Sequence, residues 1–329
     1  MSATNTQVWP SLPLRDWKST CDTLHMWTQI VGKTRLKLAP MENHWWQVAL
    51  YVTPRGLTTS AIPNSNSTFA VEFDFIDHKL IVATSGGATR SIALKPRSVA
   101  EFYGEYLETL KALGIEVRLW GMPVEVMDAI PFAEDRVHAS YDSEYANRFW
   151  RILVQADRVL KRFRGGFLGK SSPVHFFWGG FDMAATRFSG RQAPPHAGGA
   201  PNVGDWVMRE AYSHEVISAG FWPGSGAVLE PAFYAYAYPE PAGLPEAAVR
   251  PVGAYYNRDM GLFALPYETV RLATSPDEVL MDFLQSTYEA AADLARWDRS
   301  SLERLTPAEP RIVSRESGVG SRESGVGNR

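Results

Sequence analysis

Three stretches of this chain place ionisable side chains inside strongly aromatic strand patterns. Residues 174–191 read Val-His-Phe-Phe-Trp-Gly-Gly-Phe-Asp-Met-Ala-Ala-Thr-Arg-Phe-Ser-Gly-Arg, so His175, Asp182, Arg187 and Arg191 sit among rings. If buried, each would need a hydrogen-bond partner. An aromatic-lined cavity with a few placed polar groups is also how small-ligand sites are built. Residues 210–224 read Glu-Ala-Tyr-Ser-His-Glu-Val-Ile-Ser-Ala-Gly-Phe-Trp-Pro-Gly. A strand sends alternate side chains to opposite faces, which puts Glu210, Tyr212 and His214 together and turns Ser213 and Glu215 away. A local Ser-His-Glu triad is therefore not expected. Tyr234, Tyr236 and Tyr238 alternate with alanines, a row of phenols that either stacks on a ligand or packs between sheets.

These residues suggest a small-molecule-binding protein acting on an acidic or aromatic substrate. In that reading His214 is the acid or base and Glu210 or Asp182 orients it. Arg187 or Arg191 holds an acidic group, with His175, Trp178, Tyr212, Trp222 and Tyr236 contributing to binding. A hydrogen-bonded structural histidine competes with the catalytic role of His214. The alternative at protein level is a non-catalytic interaction or scaffold protein whose aromatic strands are core. No spacing motif points to a metal, because His175, His214 and a carboxylate would have to meet across strands, and nothing specifies a cofactor. Residues 165–171, Gly-Gly-Phe-Leu-Gly-Lys-Ser, fail as a phosphate loop because Arg164 occupies the first glycine position. Gly32-Lys33-Thr34 fails likewise, with Trp27 in that place.

Composition narrows the partners. Lys and Arg number 33 against 36 Asp and Glu, and a net charge of −3 gives no global field to attract nucleic acid or anionic lipid. The basic run at 158–164 falls in a helical pattern and reads as a solvated face. The single Cys21 excludes an internal disulfide framework, and the first residues lack a basic region followed by an apolar one. No apolar run approaches the roughly 18 residues of a membrane span. We expect a cytoplasmic protein with no nucleic-acid or membrane partner; oligomeric state is not legible.

The elements that must position these side chains give an α+β chain: two mainly antiparallel sheet units, each with flanking helices. Ser98 and Glu101 predict a capping box before a helical stripe stopped by Gly114, and Ser275, Pro276 and Glu278 predict the same for a later helix. A long helix is expected over about 143–163. Strand patterns cover 44–53, 68–76, 80–84, 88–94 and 116–120, then 174–188, 212–221, 232–238 and 261–272. His44-Trp45-Trp46-Gln47 and His175-Phe176-Phe177-Trp178 open the two sets in matching places, suggesting a degenerate internal repeat. The units would be an arm at 1–12, a first unit at 13–138, a second at 139–298 carrying the site, and a disordered tail at 299–329, where Ser-Arg-Glu-Ser-Gly-Val-Gly occurs twice. Pro- and Gly-rich loops at 192–204 and 239–252 would flank the site.

The combination of His175-Phe176-Phe177-Trp178-Gly179, Thr186-Arg187-Phe188-Ser189-Gly190-Arg191, Glu210-Ala211-Tyr212-Ser213-His214-Glu215 and Phe221-Trp222-Pro223-Gly224 resembles an uncharacterised bacterial family known as a domain of unknown function. The resemblance covers roughly residues 10–298. It implies no activity and carries no catalytic residue onto this chain.

Overall fold

A computed structural model describes residues 8–225 and 230–304. Of the disordered tail expected at 299–329, Arg299–Leu302 is instead helical, capped by the Asp298 side chain, and the part from 305 onward lies, with most of the amino-terminal arm, outside the described residues. Helix α1, Leu14–Leu38, is buried on all sides from Met26 to Arg35 and runs through the core. Trp27 stacks on Phe102 and Tyr141 with ring centroids 4.6 and 5.5 Å away, and Trp17 meets Phe149 at 5.3 Å. Neither tryptophan reaches solvent, and truncating such a side chain typically costs about 3–5 kcal/mol.

The first sheet contains β1 Tyr51–Val52, β2 Gly56–Thr58, β3 Ile62–Asn64, β4 Ser67–Asp74, β5 Lys79–Thr84 and β6 Thr89–Ala93. All its pairings are antiparallel, in the order β1-β2-β4-β5-β6 with β3 also on β4. Helix α2, Val99–Ala112, follows; Ser98 Oγ accepts from the Glu101 amide at 3.2 Å while the Glu101 carboxylate accepts from the Ser98 amide at 2.9 Å. The expected capping box is present, and Gly114 at φ 71° closes the helix. Helix α3, Ser143–Gly165, is capped by Asp142.

The second sheet contains β7 His175–Phe177, β8 Asp182–Gln192, β9 His214–Trp222, β10 Ala232–Tyr238, β11 Tyr255–Asn257 and β12 Leu262–Pro266, in the antiparallel order β11-β12-β10-β9-β8-β7. The remaining helices are α4 Asp205–Ala211, between β8 and β9, and α5 Tyr267–Arg271, α6 Pro276–Leu294 and α7 Arg299–Leu302, which follow β12. Leu50 exchanges backbone hydrogen bonds of 2.9 and 2.8 Å with Phe176, joining the sheets, and one apolar core runs through both. The architecture is α+β with two antiparallel six-stranded sheets. No helix among the described residues is long and apolar enough to cross a membrane.

Several expected strands are shorter or different, each for a local reason. Residues 43–48 form a 3-10 turn because His44 and Trp45 take left-handed φ of 59° and 65°. The 116–120 segment joins no sheet. The 174–188 strand breaks at Gly179-Gly180, where Phe181 has φ 56°. Glu210 belongs to α4 rather than to a strand, so alternation does not relate it to His214. Beyond Pro266 the chain turns into α5. Ser275 precedes α6 but makes no side-chain cap bond; the Glu278 amide donates to its carbonyl at 3.2 Å instead. The matching openings differ too: His44 lies in a turn and His175 in a strand, so they give no support to a repeat.

Gly32 is needed where α1 meets the second sheet. A Cβ there would lie 2.2 Å from the Trp178 indole, which is buried and donates to the Val48 carbonyl at 2.7 Å. Gly104, on the exposed side of α2, meets nothing within 4 Å. Gly104→Ala is predicted to stabilise the fold by about 0.5–1 kcal/mol through backbone entropy and helix propensity. Gly32→Ala should destabilise it by about 1–3 kcal/mol through overpacking despite the same propensity gain. Urea unfolding of both variants checks the pair, and a stabilised Gly32→Ala would contradict the Trp178 packing.

Candidate functional site

The second sheet has one face against α3 and α6 and the other against a cavity of about 780 Å³. Strand alternation sorts the side chains. Asp182, Ala184, Thr186 and Phe188 of β8, Val216, Ser218 and Trp222 of β9, and Ala232, Tyr234 and Tyr236 of β10 line the cavity. The register sets Thr186, Ser218 and Tyr236 side by side on neighbouring strands. Their hydroxyls connect: Thr186 Oγ1 lies 2.9 Å from Ser218 Oγ, Tyr236 bonds to Ser218, and Tyr236 lies 2.9 Å from the Tyr212 hydroxyl.

The remaining walls come from distant segments. The 3-10 turn brings His44 and Trp45, α4 brings Trp206 and Met208, and α1 brings Lys33 and Leu36. Trp45 and Trp206 meet edge to face at 4.9 Å. Trp120 and Glu125 enter from the irregular segment after α2. The buried Gln29 amide fixes that segment: its nitrogen donates to the Val124 carbonyl at 2.8 Å and its oxygen accepts from the Val124 amide at 2.9 Å. The Glu125 amide donates to the Pro201 carbonyl at 2.7 Å, tying the 192–204 loop to the same wall. Glu125 itself has φ 57°, an uncommon conformation for a residue with a side chain and one that clusters at ligand sites.

These restraints bring Glu125 and Asp182 to one glycine pair. A Cβ on Gly179 would lie 2.1 Å from Glu125 Oε1, and one on Gly180 would lie 2.9 Å from Asp182 Oδ1 and 3.6 Å from Glu125 Oε2. Only glycine leaves room for both carboxyl groups. His25 Nε2, 2.8 Å from the Gly179 carbonyl, holds the turn from behind; its own burial keeps that imidazole neutral, with its pKa lowered to about 4. Glu125 is exposed to the cavity, yet the protein packed around the Gly179-Gly180 turn, followed by the Asp182 charge, raises its pKa to about 7. Burial raises Asp182 to about 6, opposed by the Tyr234 hydroxyl, which donates to its Oδ2. Asp182 therefore ionises first and its charge delays Glu125. Near neutrality the pair presents one carboxylate beside a partly protonated acid, as acid/base sites do.

Of the residues expected at a site, Trp178, Asp182, Tyr212, Trp222 and Tyr236 line this cavity. The others stand elsewhere. Arg187 points from β8 to the opposite face, stacked on Phe163 at 3.5 Å and Tyr288 at 4.2 Å, because it is five residues from Asp182 in an alternating strand. Arg191 pairs with Glu215 at 2.6 Å and donates to the Ala295 carbonyl at the end of α6 at 2.7 Å. His175 is buried among Trp46, Tyr51 and Phe177, with neither ring nitrogen hydrogen-bonded among the described residues. His214 bonds Ser213 Oγ at 3.1 Å and its ring lies 5.6 Å from that of His44; Glu210 accepts from the His44 amide at 3.3 Å. His214 and Glu210 thus stand behind His44, whose Nε2 is 2.8 Å from Lys170 Nζ. Sequence reasoning missed Glu125, Lys33 and His44 as cavity residues. Only Lys33 carried a signal, the Gly32-Lys33-Thr34 step that fails as a phosphate loop.

The profile of a family of unknown function matches residues 9–304. No curated protein matches the chain, and no solved structure does.

The raised carboxyl pKa has a fixed consequence for stability. Between the ordinary glutamate value and about 7 the folded chain keeps a Glu125 proton that the unfolded chain releases, so its contribution is full at low pH and is lost as pH rises. From about pH 5 to about pH 8 the parent should therefore lose stability relative to Glu125→Gln, whose amide does not titrate. Urea midpoints of both proteins across that range test this, and parallel pH profiles would contradict it.

Proposed function

The chain belongs to this family, DUF5996, whose function is unknown, and we propose from its cavity that it binds a small molecule and performs acid/base chemistry on it with Asp182 and Glu125. The observation that carries this reading is the convergence of two carboxyl groups of raised pKa inside one aromatic-walled cavity. A structural ion pair would instead bring a cation to each carboxylate and lower its pKa. The cavity volume suits a ligand of drug or metabolite size.

In this mechanism the ligand's flat part lies against the Trp222 indole and the Tyr234 and Tyr236 rings. Asp182, ionised and held by the Tyr234 hydroxyl, accepts a proton from the ligand; Glu125, protonated, donates one. The Tyr212, Tyr236, Ser218 and Thr186 hydroxyls supply donors and acceptors that fix orientation. His214 is not needed for proton transfer, because its ring is not part of the cavity wall. Trp120 and Trp206, 59% and 54% exposed, extend the aromatic surface to the mouth.

A metabolite screen by thermal shift tests the assignment. Ligands that stabilise the parent should lose about 1–3 kcal/mol of binding, roughly tenfold to a hundredfold in affinity, on Tyr234→Phe or Asp182→Asn. His214→Ala should leave their affinity unchanged. Hits whose affinity depends on His214 and ignores Asp182 would overturn the assignment.

A further inference from the structure

Among the described residues, Lys33 is a cation without a counter-ion in the wall of the cavity. It lies on α1 one residue beyond Gly32, and the residue is only 3% exposed. Its ammonium lies 4.6 Å from the centre of the Trp120 ring and 5.8 Å from that of Trp178, the indole seated on Gly32. Among the described residues it makes no ion pair or hydrogen bond; indole faces are its close partners. Contact with a ring face recovers only part of what an ammonium loses on leaving water. Burial accordingly lowers its pKa to about 8, which still leaves it mostly charged at neutral pH.

The arginines that sequence reasoning offered for an acidic group do not compete for this role. Arg187 is buried on the other face of the sheet and Arg191 is paired with Glu215. Lys170, which pairs with the His44 ring and lies over Trp46 and Phe188, is not part of the cavity wall. Among the described residues, Lys33 is the Lys or Arg side chain that lines the cavity.

We infer that Lys33 is the anchor for an anionic group, and that the site takes an aromatic or similarly flat apolar acid whose anion contacts the Lys33 ammonium while its body passes the exposed Trp120 ring into the aromatic-walled cavity. This rests on the cavity being a ligand site and goes beyond that reading by fixing the ligand's charge and its orientation. The anion supplies the counter-charge that the described residues do not, and the Trp120 ring beside the ammonium also borders the ligand. The other end of the ligand then faces the Asp182 and Glu125 carboxyl groups, which carry the acid/base chemistry and would repel a second anion. A monoanion with a neutral polar group at its far end fits both ends.

The test uses the full chain and a matched set of probes: naphthalene-2-carboxylate, biphenyl-4-carboxylate and indole-3-carboxylate, each with its neutral carboxamide, titrated calorimetrically into the parent and into Lys33→Met. The parent should bind at least one carboxylate about tenfold or more tightly than its carboxamide. Lys33→Met should bind that carboxylate and carboxamide equally, with the carboxamide's affinity retained within about threefold. It should also unfold no earlier than the parent without ligand, since it removes an unpaired buried charge. Carboxamides that bind as well as carboxylates, or a charge preference that survives in Lys33→Met, would overturn the Lys33 assignment and leave the ligand site standing. If neither form of any probe binds, both readings fall. A Lys33→Met protein that loses stability would mark Lys33 as a packing residue and count against the inference.

Discussion

A strand sends its side chains alternately to two faces, and in the second sheet that period decides which side chains face the cavity and which face the core. Asp182, Thr186, Ser218, Tyr234 and Tyr236 fall on one parity and face the cavity. Met183, Ala185, Ile217, Phe221 and Phe233 fall on the other and join the core. Arg187 shares that second parity and is buried against rings at the end of α3. A register slip of one residue would exchange the two sets and place a carboxylate in the apolar core, so burial of the opposite face holds the site's composition.

Alternation supplies one wall. The others depend on contacts that bring remote segments to it, and these are polar contacts buried in an apolar setting, where an unmade hydrogen bond is costly. Gln29 fixes the Val124 peptide unit from both sides, and Val124 carries Glu125 to the Gly179-Gly180 turn. His25, one helical turn before Gln29, holds that turn through the Gly179 carbonyl. One face of α1 therefore positions both halves of the carboxyl pair, and the same helix contributes Lys33. The titration of the pair follows from this geometry: burial raises both groups and the first charge formed raises the second.

Where the candidate site was legible in the sequence, it was through period and composition. The aromatic strands marked the sheet that walls the cavity, and five of the ten residues singled out, Trp178, Asp182, Tyr212, Trp222 and Tyr236, line it. Alternation applied to 182–191 is enough by itself to send Asp182 and Arg187 to opposite faces. Glu210 misled because a short helix, Asp205–Ala211, leaves too few residues to show a helical period. Glu125 was out of reach: it lies in an irregular segment, and Gln29, whose amide places its neighbour Val124, is 95 residues from Val124 along the chain. The left-handed turn at His44-Trp45 hid a cavity wall for a related reason, since a positive φ is uncommon for any residue but glycine and nothing in Trp45 announces one.

On this account a carboxyl group in the cavity stays protonated close to neutral pH because Glu125 and Asp182 meet at the Gly179-Gly180 turn. Infrared difference spectroscopy on the free protein, with isotope-labelled glutamate and aspartate to separate the two signals, reads it directly. Titrated from about pH 5 to about pH 8, a glutamic acid carbonyl band should disappear with a midpoint near neutrality, shift to lower pH in Asp182→Asn, and be absent in Glu125→Gln. A spectrum in which every glutamate is already ionised by about pH 5 would contradict the account.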